Sequence, residues 1–150
     1  MLSVGDRAPP FEGVDQHGAS VALEALVREG PVILYFYPRD FTSVCTREAC
    51  LFRDAHDEMA SLSASIVGVS VDDQQTHQRF AERHSLPFSL VADPDRRIRR
   101  AYKTDLWPFR RVKRATYVIG RNGIIVGAFR HELSASKHIA DVRGVLAKNG

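Results

Sequence analysis

The chain has 150 residues, 44% hydrophobic and 26% charged, with a formal net charge of +3 at pH 7. That length fits a single domain, 1–150, whose core closes without disulfide staples, and so mild a charge implies no nucleic-acid partner. Two cysteines are too few for a disulfide framework, no apolar run reaches membrane-spanning length, and the stretch Met1–Asp6 shows no secretory pattern, so a cytoplasmic protein with no membrane contact is expected.

A small opening hairpin is expected. Phe11 to Gly13 and Ser20 to Leu23 flank the polar turn Asp15-Gln16-His17-Gly18. Val32 to Tyr37 is apolar, β-branched and aromatic between Pro31 and Pro38, which predicts a buried central strand. From about Cys45 to Leu62 the pattern turns helical, with Leu51, Ala55, Met59 and Leu62 on one face and Thr42 or Ser43 as N-cap.

Ser65 to Val71 reads as the next strand, and strand, helix, strand implies a parallel crossover. Asp72-Asp73 opens a helix through about His84, and Phe88 to Ala92 forms a third strand. Asp93-Pro94-Asp95 signals the start of a short arginine-rich helix. Ala115 to Gly120 and Ile124 to Phe129 form a hairpin around Asn122-Gly123, and Ser134 to Lys148 is a final amphipathic helix. The order β-α-β-α-β-α-β-β-α predicts an α/β fold of the thioredoxin-like kind, a mixed central sheet with helices on both faces.

Pro38-Arg39-Asp40-Phe41-Thr42-Ser43-Val44-Cys45 occupies the turn where the first long strand feeds a helix. Free N–H groups and the positive end of the helix dipole meet there, and both favour a thiolate, the reactive form of cysteine. Thr42 stands three residues before Cys45, and Arg114 sits at the mouth of the Ala115–Gly120 strand. If that strand lies beside Val32–Tyr37, the guanidinium reaches the cysteine. Glu48, at i+3 from Cys45, could orient Arg114 through a bidentate pair. The plainer readings are a capping threonine, a surface arginine, a helix-start acid and a buried, inert Cys50.

Pro38-x-x-x-Thr42-x-x-Cys45 is similar to the signature of the peroxiredoxins, and Arg114-Ala115-Thr116-Tyr117-Val118-Ile119 resembles the strand carrying their arginine. Tyr35 to Thr42 and Cys45-Thr46-Arg47-Glu48-Ala49-Cys50 resemble the PrxQ, or bacterioferritin-comigratory-protein, branch, whose second cysteine stands five residues after the first. Ser70-Val71-Asp72-Asp73, Leu86-Pro87-Phe88 and Asp93-Pro94-Asp95 extend the likeness over nearly the whole chain.

The resemblance implies a thiol peroxidase. Cys45 would be the peroxidatic thiolate, Thr42 and Arg114 would bind the peroxide oxygens, and Pro38 would shield the sulfenic acid from water. Cys50 would resolve that acid to a disulfide, and a thioredoxin-type reductant would restore the dithiol. The substrate would be a hydroperoxide, with no metal, haem or flavin, and a monomer is favoured although some relatives form dimers. Five residues of intact helix rise about 7.5 Å, past the roughly 7 Å limit on Cα atoms joined by a disulfide. The helix must therefore unwind before the bond forms.

The sequence departs from the family in Ser43-Val44, where Pro-Gly is usual, and in the arginine-rich segment 96–114. That segment is read as a solvated helix face beside the site, with Trp107 and Phe109 as packing near the pocket mouth. The six histidines show no metal-ligand spacing with either cysteine and are expected at the surface or partly buried.

Overall fold

The structure, a computed structural model, describes the backbone of residues 1–106, 110–111, 114–130 and 135–149. The side chains at 44, 105–106, 110–111, 135–138 and 149 lie outside that description.

Nine strands and six helices are described. They are β1 (Glu12–Val14), β2 (Ser20–Ala22), α1 (Leu23–Glu29), β3 (Val32–Phe36), α2 (Ser43–Asp54), α3 (His56–Ser61), β4 (Ser65–Ser70), α4 (Gln74–His84), β5 (Ser89–Ala92), α5 (Arg97–Ala101), β6 (Asp105–Leu106), β7 (Arg110–Arg111), β8 (Ala115–Ile119), β9 (Ile125–Arg130) and α6 (Ala135–Asn149). A five-stranded sheet runs β5-β4-β3-β8-β9. The β3–β4 and β4–β5 pairs are parallel, whereas β3–β8 and β8–β9 are antiparallel. Every residue of β3 is buried, as its unbroken apolar run requires at the centre of a sheet covered on both faces.

Alternation along β3 divides the core. Ile33, Tyr35 and Tyr37 face one cluster with Cys45 and Phe52 of α2, Met59 of α3, Phe80 of α4, and Ile139 and Val142 of α6. Val32, Leu34 and Phe36 face the other, with Phe11, Val21, Leu23, Ile98 and Tyr102. Tyr35 stacks on Phe52 at 4.7 Å between ring centroids. Its cross-strand partner is Gly68, where a Cβ would stand 2.8 Å from the Tyr35 hydroxyl oxygen, so this glycine makes room for the ring.

Several boundaries differ from the sequence reading. The expected helix from Cys45 to Leu62 breaks at Ala55 (φ −89°, ψ 0°) into α2 and α3. The break resets the helical phase, so Met59 stays buried while Leu62 is 42% exposed. Leu23 begins α1 rather than ending the hairpin strand. With only Leu23 fully buried and Leu26 and Val27 partly so, that seven-residue helix carries too short a periodic signal to stand out. The β6–β7 ribbon was likewise not anticipated.

The arginine-rich helix is not simply a solvated face. Arg99 is buried, donates from Nη1 to the carbonyl of Tyr37 at 3.1 Å, and lies 5.7 Å from the Phe36 ring centroid. Asp93 turns the chain into α5, accepting the N–H groups of Ile98 and Arg99 at 3.0 Å each. Trp107 and Phe109 lie outside the described residues.

Candidate active site

The antiparallel pairing of β8 with β3 sets Ala115 opposite Phe36. Arg114, one residue before β8, therefore arrives at the end of β3 from which the chain turns into α2. The turn runs through Pro38 to Thr42, and Cys45 is the third residue of the helix.

Cys45 is buried, and Nη2 of Arg114 lies 3.1 Å from its Sγ. Nη1 of Arg114 stands 3.5 Å from Oε1 of Glu48, and both side chains are at most 5% exposed. A permanent cation thus stands beside a sulfur carried in the first turn of a helix. Glu48 sits one turn along the same helix face, so its carboxylate stands beside one guanidinium nitrogen while the other meets the sulfur. The three residues expected to meet do meet.

Thr42 holds the N-cap position with extended backbone (φ −79°, ψ 152°), yet its side chain makes no capping hydrogen bond. Its hydroxyl instead donates to the carbonyl of Arg39 at 3.2 Å, tightening the turn, so the capping expectation is corrected. Pro38 is half-buried at the start of the turn. Cys50 lies half-buried on α2, which is continuous across both cysteines, and both thiols are free.

A buried polar network underlies the turn. Tyr37 donates its hydroxyl to Oδ1 of Asp40 at 2.5 Å, and Nδ1 of His77 faces Oδ2 of Asp40 at 2.5 Å. A carboxylate only accepts, so the proton of that second bond belongs to the imidazole. Asp72 accepts the backbone N–H of Asp40 through Oδ2, also at 2.5 Å. Ser70 Oγ lies 3.5 Å from both His77 Nε2 and Asp72 Oδ2.

Burial first, then the neighbouring Tyr35 and the Asp40 carboxylate, push the Tyr37 phenol well above its usual value and keep it a donor. Burial, followed by Glu48 and Asp40, does the same to Tyr35. Asp40, Asp72 and His77 bring ligand-type atoms within 4.8 Å of one another. Asp40 already bonds both of the others, which accounts for their proximity.

Sequence reasoning did not find this network. Asp40 stood in the motif without a role, Asp72 was read only as a helix start, and His77 was expected at or near the surface but is completely buried. Asp73 does open α4, accepting the N–H of Thr76 at 2.8 Å. The only available signal was the Tyr-x-x-Asp spacing of Tyr37 and Asp40. The other partners are 32 and 37 residues from Asp40 along the chain.

A further contact joins α2 to α4. Sγ of Cys50 lies 3.8 Å from Nδ1 of His84, whose ring packs near Phe80 and Phe41. Phe41 has φ 62°, a left-handed conformation that costs a non-glycine residue about 1–2 kcal/mol. Its ring is seated on Phe80 at 5.1 Å.

Residues 4–128 match the model of the AhpC/TSA family. The chain is 35% identical to peroxiredoxin Bcp of Bacillus subtilis over 148 residues, covering 93% of this chain and 92% of that protein. It is 34% identical over 146 residues to chloroplastic peroxiredoxin Q of Sedum lineare, covering 97% and 78%. The crystal structure of peroxidoxin BcpB from Mycobacterium tuberculosis superposes with a TM-score of 0.91 at 30% identity, covering 99% and 98%. The bacterioferritin comigratory protein of Xanthomonas campestris, studied for alkyl peroxide reduction, gives 0.82 at 26%, covering 92% and 90%. The fold is thus the thioredoxin-like fold of the peroxiredoxins. No helix among the described residues is long and apolar enough to cross a membrane.

Proposed function

This chain belongs to the AhpC/TSA family, in its Bcp and peroxiredoxin Q branch, and from that premise we propose a thioredoxin-dependent thiol peroxidase working through Cys45 and Cys50. The observation that carries the reading is the 3.1 Å approach of the Arg114 guanidinium to the buried Cys45 sulfur.

The Cys45 thiolate attacks the terminal oxygen of a hydroperoxide. The O–O bond breaks, the sulfur becomes a sulfenic acid, and the departing oxygen leaves as water or an alcohol. Arg114 faces the charge that spreads over the two oxygens, and Glu48 holds the guanidinium in place. The Thr42 proton is committed to Arg39, which leaves the hydroxyl lone pairs to accept the O–H of the incoming peroxide. Pro38 closes the pocket over the sulfenic acid.

Cys50 then displaces the sulfenic hydroxyl and forms the Cys45–Cys50 disulfide, which a thioredoxin-type partner reduces by exchange. Because α2 is unbroken from Ser43 to Asp54 in the dithiol form, its first turns unwind before this step. The protein is read as one domain, cytoplasmic and monomeric, with no metal or organic cofactor.

Stopped-flow mixing with hydrogen peroxide, with and without thioredoxin and its reductase, tests this reading. Fast oxidation with thioredoxin-supported turnover is expected. Insulin reduction without peroxide consumption would replace it with a thiol–disulfide oxidoreductase. Stoichiometric oxidation without recycling would replace it with a redox sensor.

A further inference from the structure

We propose that His84 is the base that takes the proton of Cys50 when this thiol attacks oxidised Cys45. The inference rests on the reading above in which Cys50 is the resolving cysteine.

A thiol is a poor nucleophile until it loses its proton, and near neutrality an unperturbed cysteine is mostly protonated. Cys50 is the eighth residue of α2, past the first turn, where Cys45 stands. Activation of Cys50 therefore needs a group of its own. Nδ1 of His84 is 3.8 Å from its Sγ, and both side chains are half-buried between α2 and α4.

The imidazole is suited to receive a proton. Partial burial first, then the charges of Arg83 and Arg53, hold His84 below the ordinary histidine value, so near neutrality it is unprotonated. With its own proton on Nε2, the lone pair of Nδ1 faces the sulfur. The charged groups around it are Arg83 beside it on α4 and Arg53 on α2, the latter 3.1 Å from Asp54. The active-site turn presents the Phe41 ring at 6.4 Å.

The contact also survives the movement that resolution demands. Nη1 of Arg53 donates to the backbone carbonyl of His84 at 2.9 Å, tying α2 to the end of α4 three residues beyond Cys50. Phe52, two residues past Cys50, is stacked on Tyr35 in the core. The first turn of α2 can unwind and bring Cys45 outward while Cys50 remains beside its base.

The step balances within the protein. His84 takes the Cys50 proton, and the thiolate attacks the Cys45 sulfur. The S–S bond forms as the S–O bond breaks. The electron pair leaves with hydroxide, and the imidazolium returns its proton to make water.

The test follows disulfide formation after a stoichiometric pulse of hydrogen peroxide, by acid quench, alkylation and mass spectrometry, between pH 5.5 and 8.5. In His84→Gln, disulfide formation should slow by about 10²-fold near pH 7, and the Cys45 sulfenic acid should accumulate and be trapped by dimedone. The wild-type rate should level off at lower pH than that of the variant, and added imidazole should restore part of the loss. A His84→Gln rate and pH profile equal to wild type would overturn the base and leave Cys50 as resolver. Slow resolution with an unshifted profile and no imidazole rescue would also overturn it, reducing His84 to a structural prop. Absence of any Cys45–Cys50 disulfide in the wild type would remove the resolving reading and this one together. Alkylation of Cys50 by iodoacetamide in Cys45→Ser gives a second readout independent of peroxide. It should be slower near pH 7 when His84 is replaced, and an equal rate counts against the proposal.

Discussion

Nδ1 of His77 meets Oδ2 of Asp40 at 2.5 Å, with both side chains completely buried, so helix α4 anchors the turn that precedes Cys45. Asp40 gains two further bonds there, from the Tyr37 hydroxyl and to Asp72 through its own N–H. The turn is held by its middle residue, between Pro38 and Thr42.

Asp40→Asn puts two amide donors where a carboxylate accepted from both Tyr37 and His77. One buried donor then lacks an acceptor, at a cost of about 1–3 kcal/mol. Urea unfolding should show that loss, and amides 40–46 should exchange hydrogen faster. Unchanged exchange in this segment would mean that the network does not hold the turn.

Cys45→Ser should abolish peroxide consumption, and Arg114→Ala should lower the second-order rate for hydrogen peroxide by about 10²–10³. Arg114→Lys keeps a charge but loses the two-pronged guanidinium that spans Cys45 and Glu48, so its rate should fall between those of wild type and Arg114→Ala. Stopped-flow kinetics checks the order, and an Arg114→Ala rate equal to wild type would remove this residue from the chemistry.

Glu48→Ala leaves a buried guanidinium without its carboxylate, a change that costs about 3–5 kcal/mol. Glu48→Gln keeps the shape and one acceptor and should cost less. Denaturant midpoints of the two variants should separate accordingly, whereas equal midpoints would show the ion pair to be energetically idle.

In Cys50→Ser the sulfenic acid should persist and react with dimedone, while the wild type passes to a disulfide. Hydrogen exchange on the oxidised wild type should show lost protection across residues 43–50 and retained protection for Phe52 and beyond. A fully protected α2 in the disulfide form would contradict the need for unwinding.

The lowered folded-state value of His84, due first to burial and then to Arg83 and Arg53, has a definite sign in stability. The unfolded chain binds this proton more readily, so stability rises with pH between the folded value and the unfolded value of about 6.5. Above that window the contribution is complete, and it is lost as pH falls through it. His84→Gln should remove this part of the Tm–pH dependence, and the effect should be modest because the ring is partly exposed. Identical Tm profiles for the two proteins would mean that His84 titrates alike in both states.

Much was legible in the sequence. The run Val32 to Tyr37 between two prolines fits a buried strand, and the helical pattern that follows puts Cys45 in a first turn. Asn122-Gly123 marked its hairpin, and Gly123 does adopt φ 78°. These features are local. Periodicity, turn chemistry and the N-terminal dipole act over a few residues and are written in consecutive letters. Arg114 and Glu48 were within reach because a strand neighbour and a helix turn fix where they point.

The remainder depended on which distant segments touch. Asp40, Asp72 and His77 look like ordinary polar residues along the chain. Arg99 looks like one more surface arginine in a basic helix, and Leu62 like a core leucine. The packing of α4, α5 and α3 on the sheet decided each of these, because burial and partner choice belong to the assembled layers. The contact of Cys50 with His84 arises in the same way: helix spacing determines which side of α2 the sulfur occupies, and only the docking of α4 determines what it meets there.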